Sequence, residues 1–268
     1  QAEGHSVWER LTRREPIPER PADDTLRTLI ERRLGWSDPH SSASRLAAKW
    51  TVSELKQRAK TGSGFPYLLP SIAEKPRFLA EDARHRLTSA ELGTLTHLVL
   101  QQLDLRRPLD EPDIRQQIDS LVLRRFLTEE QAEAVNARDL ARFFASPLGT
   151  RMKQAAKVYR ELPFTRALPA NEVDPEIGDD EHVIVQGVID CLLEEENGRL
   201  VLIDFKTDRI AAEPSPAVIA EMKRRYEAQI RLYVRAVEQI LKTRKVAESY
   251  LYLLAGGVEV LVEPDSRH

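Results

Sequence analysis

Apolar positions follow two regimes along the chain: helical spacing in its first two thirds, then alternation or short apolar runs. The first 45 residues are polar and mixed in charge. Residues around Thr25–Leu34 predict a short helix, and Ser37-Asp38-Pro39-His40-Ser41-Ser42 reads as a connector. The main domain is expected from residue 46 onward. Thr51-Val52-Ser53-Glu54 has capping-box form and predicts a helix from about Ser53 to Lys60. Gly62-Ser63-Gly64-Phe65-Pro66 predicts a loop, and residues 71–80 weak strand or loop. Thr88-Ser89-Ala90-Glu91 is a second capping box; Leu92, Leu95, Leu98, Val99 and Leu100 carry its helix to about Leu103. Residues 112–146 predict three helical segments, two of them starting near Thr128 and Asn136. Pro147-Leu148-Gly149 predicts an interruption, followed by a helix to about Val158.

The pattern then changes. Glu161 to Arg166 reads as extended and 170–180 as an acidic loop. His182–Glu195 and Leu200–Thr207 have the alternation and β-branched content of strands. Ala217–Arg244 predicts a long amphipathic helix with Pro216 near its start. Strands at 248–254 and 258–263 flank a Gly256-Gly257 turn. Helices, a strand hairpin, a helix and more strands make a mixed α/β domain, with one central sheet and helices on its faces.

Composition narrows the function classes. The 268 residues suffice for one large domain with an appendage. At 41% hydrophobic and 31% charged the chain is expected to be soluble and globular, and no apolar run is long enough for a membrane span. A start at Gln1 instead of Met, with no signal peptide, suggests a cytoplasmic fragment of a longer polypeptide. The single cysteine, Cys191, excludes an internal disulfide and any site built from several thiolates. The net charge of -3 does not announce a nucleic-acid partner. Arg142, Arg151, Lys153, Lys157 and Arg160, with no acid among them, form a basic stripe. It could follow phosphates or be a solvated helix face.

The sharpest chemical feature is Gly187-Val188-Ile189-Asp190 followed by Leu202-Ile203-Asp204-Phe205-Lys206. Asp204 and Lys206 share one strand face, and their apolar neighbours imply burial. Buried charges must be paired or hold a metal. Two acids and a lysine could form a salt-bridge cluster, or bind magnesium beside a lysine that steers water or offsets developing charge. Whether Asp190 joins them depends on register. A two-residue Asn197-Gly198 loop would set Asp190 opposite Phe205, on the wrong face. A three-residue loop, Glu196-Asn197-Gly198 with Gly198 left-handed, sets Asp190 opposite Asp204. The three-residue loop and a metal are therefore expected. His182 shares the parity of Asp190 but lies roughly 26 Å away along the strand, so it is set aside.

Gly187-x-x-Asp190, Asp204-x-Lys206 and Gln229-x-x-x-Tyr233 resemble, in order and spacing, the RecB-type nucleases of the PD-(D/E)xK superfamily. Gly93-Thr94-Leu95-Thr96-His97 fits the upstream Gly-x-x-x-His element of that family. The resemblance spans roughly 50–263. Trp50 to Lys56 and Tyr159 to Phe164 look like segments of its AddA-type branch, the helicase–nuclease subunits of bacterial AddAB complexes.

The resemblance implies a restriction-endonuclease-like core in 46–268, with 1–45 linking it to an upstream helicase part. It implies a deoxyribonuclease using one or two magnesium ions. His97, Asp190, Asp204 and the Phe205 carbonyl would hold the metal, Lys206 would act on water or charge, and Gln229 and Tyr233 would lie beside the site, near Tyr226. Glu161 is a family-like acid whose role the residues do not derive. Tyr67, Arg142 and Lys153 are further strand contacts to consider. The implied partners are unwound single-stranded DNA, ending 3′ in the AddA branch, upstream helicase domains and an AddB-like second nuclease subunit. One cysteine leaves no iron–sulfur cluster, and the lack of a Gly-x-x-x-x-Gly-Lys-Ser/Thr loop leaves no ATP site. A stand-alone nuclease of the same superfamily and a non-catalytic DNA-channel module remain alternatives on sequence alone.

Overall fold

The computed structural model describes residues 7–16, 24–37, 46–55, 87–174, 177, 180–208, 210, 214–242 and 244–263. Contacts divide the chain into two compact units, Gln1–Leu46 and Ala47–His268. The first holds α1 (Val7–Thr12) and α2 (Asp24–Leu34). Local bonds stabilise α2, including Arg27 Nε to Glu31 at 3.0 Å, and it buries no residue.

The second unit begins with β1 (Lys49–Thr51), a strand that three residues of sequence did not signal. The Thr51 capping box forms: the Thr51 amide donates to Glu54 at 2.7 Å and the Glu54 amide to the Thr51 hydroxyl at 3.2 Å. Residues 52–55 are helical; the rest of the expected helix, the Gly62–Pro66 loop, Tyr67 and 71–80 lie outside the described residues. The Thr88 capping box opens α3 (Ser89–Gln102). Then come α4 (Glu111–Leu123), α5 (Glu129–Ala134), α6 (Ala137–Ala145) and α7 (Pro147–Gln154). Thr128 and Asn136 cap α5 and α6 as their side chains predict. The helical run does break here, at Ser146 between α6 and α7, but Pro147 itself is helical. It occupies the first turn of α7 behind the Ser146 cap, where a missing amide hydrogen costs nothing.

That helix stops at Gln154 instead of reaching Val158, because Lys157 already pairs with Glu194. β2 (Lys157–Pro169) and β3 (His182–Glu194) are both 13 residues long and antiparallel. The extended segment is longer than its own pattern suggests because β3 offers a partner along its whole length. A 3-10 turn (Ala170–Glu172) begins the acidic connection. β4 (Leu200–Lys206), α8 (Pro216–Leu241), β5 (Val246–Leu253) and β6 (Val258–Val262) complete the unit.

The six strands form one mixed sheet. β2 covers one edge of β3. On the other edge β1 runs parallel at Ile184–Gln186 and β4 antiparallel at Cys191–Glu194, and β5 and β6 follow beyond β4. Neither β1 nor β4 pairs with residues 187–190, so that edge of β3 has a gap where Asp190 lies.

Helices α3 to α7 cover one face. Val99, Ile114, Leu140, Phe143, Phe144, Leu148 and Met152 join Cys191, Leu193, Val201, Ile203, Phe205 and Tyr252 in one buried cluster. The Phe143 ring meets Phe205 edge-on at 4.9 Å and Tyr252 at 4.7 Å. Each such ring removed from water contributes about 1.5–3 kcal/mol. α6 and α7 approach closely through Gly149; a Cβ there would lie 2.0 Å from the Phe143 carbonyl oxygen. The long α8 lies on the opposite face, where Tyr233 meets Phe164 edge-on at 5.7 Å.

Candidate active site

The site begins with the β3–β4 turn. The Gly198 amide donates to the Glu195 carbonyl at 2.8 Å, the Glu195 amide to Arg199 at 3.0 Å, and Gly198 has φ +80. This is the three-residue loop expected from Glu196-Asn197-Gly198. Its register runs Glu194 to Leu200 and Cys191 to Ile203, so Asp190 stands opposite Asp204. The ladder ends there, and the Asp190 carboxylate accepts the Phe205 amide hydrogen at 2.8 Å in its place.

On the far side of β3, Arg160 pairs with Cys191 and Leu162 with Ile189, so Glu161 stands opposite Asp190. Glu161 has φ +51, a left-handed backbone that side chains other than glycine rarely adopt. The strand changes face at this residue. Arg160 bonds the Leu100 and Leu103 carbonyls at the end of α3, at 2.9 and 2.6 Å, whereas Phe164 meets Tyr233 of α8. Regular alternation would point Arg160 and Phe164 the same way. β3 changes face with it: Cys191 belongs to the cluster under α3–α7, while a Cβ on Gly187 would strike Phe164 and Val52 at 2.6 Å. That clash explains why Gly187 precedes the acid.

α3 supplies the imidazole. Its Gly93 lies against the end of β4, where a Cβ would be 3.3 Å from the Thr207 hydroxyl, and His97 follows one turn later. His97 Nδ1 is 3.2 Å from Glu161 and 3.6 Å from Asp190; Nε2 is 3.2 Å from the Phe205 carbonyl oxygen. His97, Glu161 and Asp190 can place ligand atoms within 4.8 Å of one another. Asp204 is fully buried next to them and is held elsewhere: Lys206 Nζ is 2.6 Å from one oxygen and Gln229 Nε2 donates to the other at 3.1 Å. Gln229 also donates to the Tyr233 hydroxyl at 2.9 Å. The four-residue spacing on α8 thus places both side chains at the site. The Lys206 ammonium lies 5.1 Å over the Tyr226 ring.

Charge is concentrated here. Burial and the neighbouring Asp204 carboxylate push the Asp190 carboxyl up to about 7. Burial alone would lower the His97 imidazole, but the Glu161 hydrogen bond and the Asp190 charge raise it above its ordinary value. Burial likewise opposes the Lys206 charge, and Asp204 and Asp190 outweigh it. Three carboxylates across adjacent strands repel unless a cation stands among them. An imidazole, carboxylates and a carbonyl oxygen make a donor set suited to a hard divalent ion. The residues therefore fit a divalent metal.

An open cavity of about 710 Å³ leads to the site, lined by Ser89, Gly93, Thr94 and Gln101 on one wall and Asp208, Tyr226 and Gln229 on the other. Asp208 carried no sequence signal because it follows the end of β4. Its carboxylate accepts from Tyr226 at 2.7 Å and Arg225 at 3.0 Å.

Most of the basic stripe bonds to other parts of the protein. Arg142 bonds the Ala255 carbonyl, Arg151 bonds Glu195 and Glu248, Lys157 faces Glu194, and Arg160 caps α3. Each of these four is engaged by the protein itself, and Lys153 stands exposed. His182 bonds the Asp180 carbonyl at the far end of β3.

A profile of the PD-(D/E)XK nuclease superfamily matches residues 63–265. The chain is 43% identical over 270 residues to an ATP-dependent helicase/nuclease subunit of Pelotomaculum thermopropionicum, a match covering 97% of this chain and 20% of that protein. Identity is 42% over 255 residues with the same-named protein of Moorella thermoacetica, covering 90% and 17%. With that of Clostridium kluyveri it is 38% over 233 residues, covering 84% and 18%. The chain spans about a fifth of the length of these curated relatives. The profile match covers most of the chain, and it includes each element that carries an acid, the lysine and the histidine of the site. By that match the chain belongs to the PD-(D/E)XK nuclease superfamily.

Proposed function

We propose that this site hydrolyses DNA phosphodiester bonds with magnesium, as the nuclease part of a helicase–nuclease that processes double-strand breaks for recombinational repair. The observation that carries this is the convergence of His97, Glu161 and Asp190 within 4.8 Å, beside Asp204 and Lys206. His97, Asp190, Asp204 and the Phe205 carbonyl would hold the ion, and we add Glu161 to that set for its place beside His97 and Asp190. The ion would supply Lewis acidity toward a phosphoryl oxygen and a bound water of lowered pKa. Asp190 lies at the gap in the β3 edge, with Asp204 buried beside it. Gln229, tied to Tyr233, keeps the Asp204 carboxylate oriented. Lys206 directs its ammonium toward the site and offsets charge that develops on the phosphate. None of these groups reads a base, so cleavage is expected to be tolerant of sequence.

The relatives' name couples a helicase with a nuclease, and this chain carries no phosphate-binding Walker loop. The substrate we assign is a single strand unwound by a helicase portion; the resemblance to the AddA branch implies the strand ending 3′. Trimming would be exonucleolytic, in a heterodimer with an AddB-like partner in the cytoplasm.

The test is digestion of 5′- and 3′-labelled single-stranded DNA with magnesium by the 268-residue chain and by Asp204→Ala. Equal rates in both would remove the site. Melting with and without magnesium gives a readout independent of cleavage. An ion at tenfold its dissociation constant stabilises by about 1.4 kcal/mol, and this shift should vanish in Asp190→Asn.

A further inference from the structure

Asp208, Tyr226 and Arg225 form a bonded group next to Lys206, outside the cluster of ligand atoms. Lys206 has two carboxylates within its electrostatic reach on its own chain segment, Asp204 and Asp208. Both oxygens of Asp208 are occupied: one accepts from the Tyr226 hydroxyl at 2.7 Å and the other from Arg225 at 3.0 Å. Lys206 instead lies 2.6 Å from Asp204, with its ammonium over the Tyr226 ring at 5.1 Å. The ring is buried at 5% exposure, so its contact with the ammonium is shielded from water. Tyr226 stands three residues before Gln229, which orients Asp204, so one helix face controls both the lysine and its carboxylate partner.

We infer that Tyr226, held by Asp208 and Arg225, is a positioning residue that keeps the Lys206 ammonium at the reacting phosphate. The inference rests on the nuclease function proposed above. The ring forms a wall behind the ammonium; Asp208 anchors it through the Tyr226 hydroxyl, and Arg225 holds Asp208 in turn. Neither Asp208 nor Arg225 need touch DNA for this.

Steady-state cleavage of labelled single-stranded DNA in magnesium, across substrate concentrations, tests it with Tyr226→Leu, Tyr226→Phe, Asp208→Asn and Lys206→Ala. Tyr226→Leu should lower kcat about five- to thirtyfold, the rate equivalent of a desolvated cation–π contact, with KM and the magnesium midpoint unchanged. Tyr226→Phe keeps the ring and should recover most of that loss. Asp208→Asn should lower kcat in the same sense at unchanged KM, and it decides the matter if the leucine variant does not fold. Parental kcat in both Tyr226→Leu and Asp208→Asn, or equal loss in the leucine and phenylalanine variants, would overturn the inference. If Lys206→Ala also cleaves normally, the proposed function fails instead.

Discussion

Glu161 stands directly across the β2–β3 ladder from Asp190, at the one residue of β2 whose backbone turns left-handed, with φ +51. The turn changes the face that the strand presents and brings Glu161 to His97 at 3.2 Å. Asp190 therefore has an acid opposite it on each neighbouring strand, Glu161 on β2 and Asp204 on β4. A cluster of donor atoms suited to a metal and a left-handed backbone coincide at this row, and strained backbone is common at functional sites.

That coincidence separates stability from activity. Glu161→Gly accommodates the left-handed backbone and removes a carboxylate from the cluster. It should be about 1 kcal/mol more stable in chelator than Glu161→Ala, which keeps the unfavourable φ. Both variants should lose magnesium-dependent cleavage. Urea unfolding in chelator checks the first expectation, and an alanine variant as stable as glycine would contradict it.

Two glycines on helices should respond differently to alanine. At Gly149 the new Cβ would sit 2.0 Å from the Phe143 carbonyl and 2.6 Å from the Phe144 Cα, both backbone atoms of the facing helix. The helices must separate, at about 1–3 kcal/mol or more. At Gly93 the contact is the Thr207 hydroxyl at 3.3 Å, and alanine returns up to about 1 kcal/mol in helix propensity. Gly93→Ala should stay within about 1 kcal/mol of the parent. Thermal melting of the two variants side by side distinguishes the outcomes.

Arg151 ties α7 to the strands. It donates to Glu195 at 2.9 Å and to Glu248 at 2.6 Å, and Glu248 also accepts from Tyr250 at 2.7 Å. Burial weakens the guanidinium charge, but these two carboxylates more than offset it and hold the group firmly protonated. The pair is partly exposed, so solvent screening limits its worth to about 1 kcal/mol or less. A double-mutant cycle on Arg151→Ala and Glu248→Ala should show coupling of that order; strict additivity would count against the network.

Asp113 sets an acid limit on stability. Burial raises its carboxyl, but hydrogen bonds from Gln117 at 2.9 Å, the Leu109 amide at 3.1 Å and Arg107 at 2.6 Å outweigh it and hold the group below the usual carboxylate range. Its contribution is present above the unfolded carboxylate pKa and is lost as pH falls through the lower folded value. Asp113→Asn should therefore lower the melting temperature at neutral pH and narrow its gap to the parent in acid. A constant gap across that range would show that Asp113 contributes no titrating stability.

Local chemistry decided much of this protein from sequence alone. Thr51, Thr88, Thr128 and Asn136 announce helix starts because their side chains satisfy amides a few residues away. The sequence narrowed the register of Asp190 to two loop lengths, and the expectation of a metal favoured the three-residue loop that forms, with Gly198 at φ +80. Gln229 and Tyr233 share a face through helix periodicity alone. What tertiary structure decided involves segments far apart in the chain. Glu161 meets His97 across 64 residues, and His97 meets the Phe205 carbonyl across 108. No periodicity reports such pairings, because they depend on which strand edges and helix faces find one another in packing. The placement of β1 on the same edge of β3 as β4, the change of face at Glu161, and the dispersal of the basic residues into separate contacts are of that kind. Asp208 joins them: its position just past the end of β4 carries no pattern, and only the docking of α8 gives it Tyr226 and Arg225.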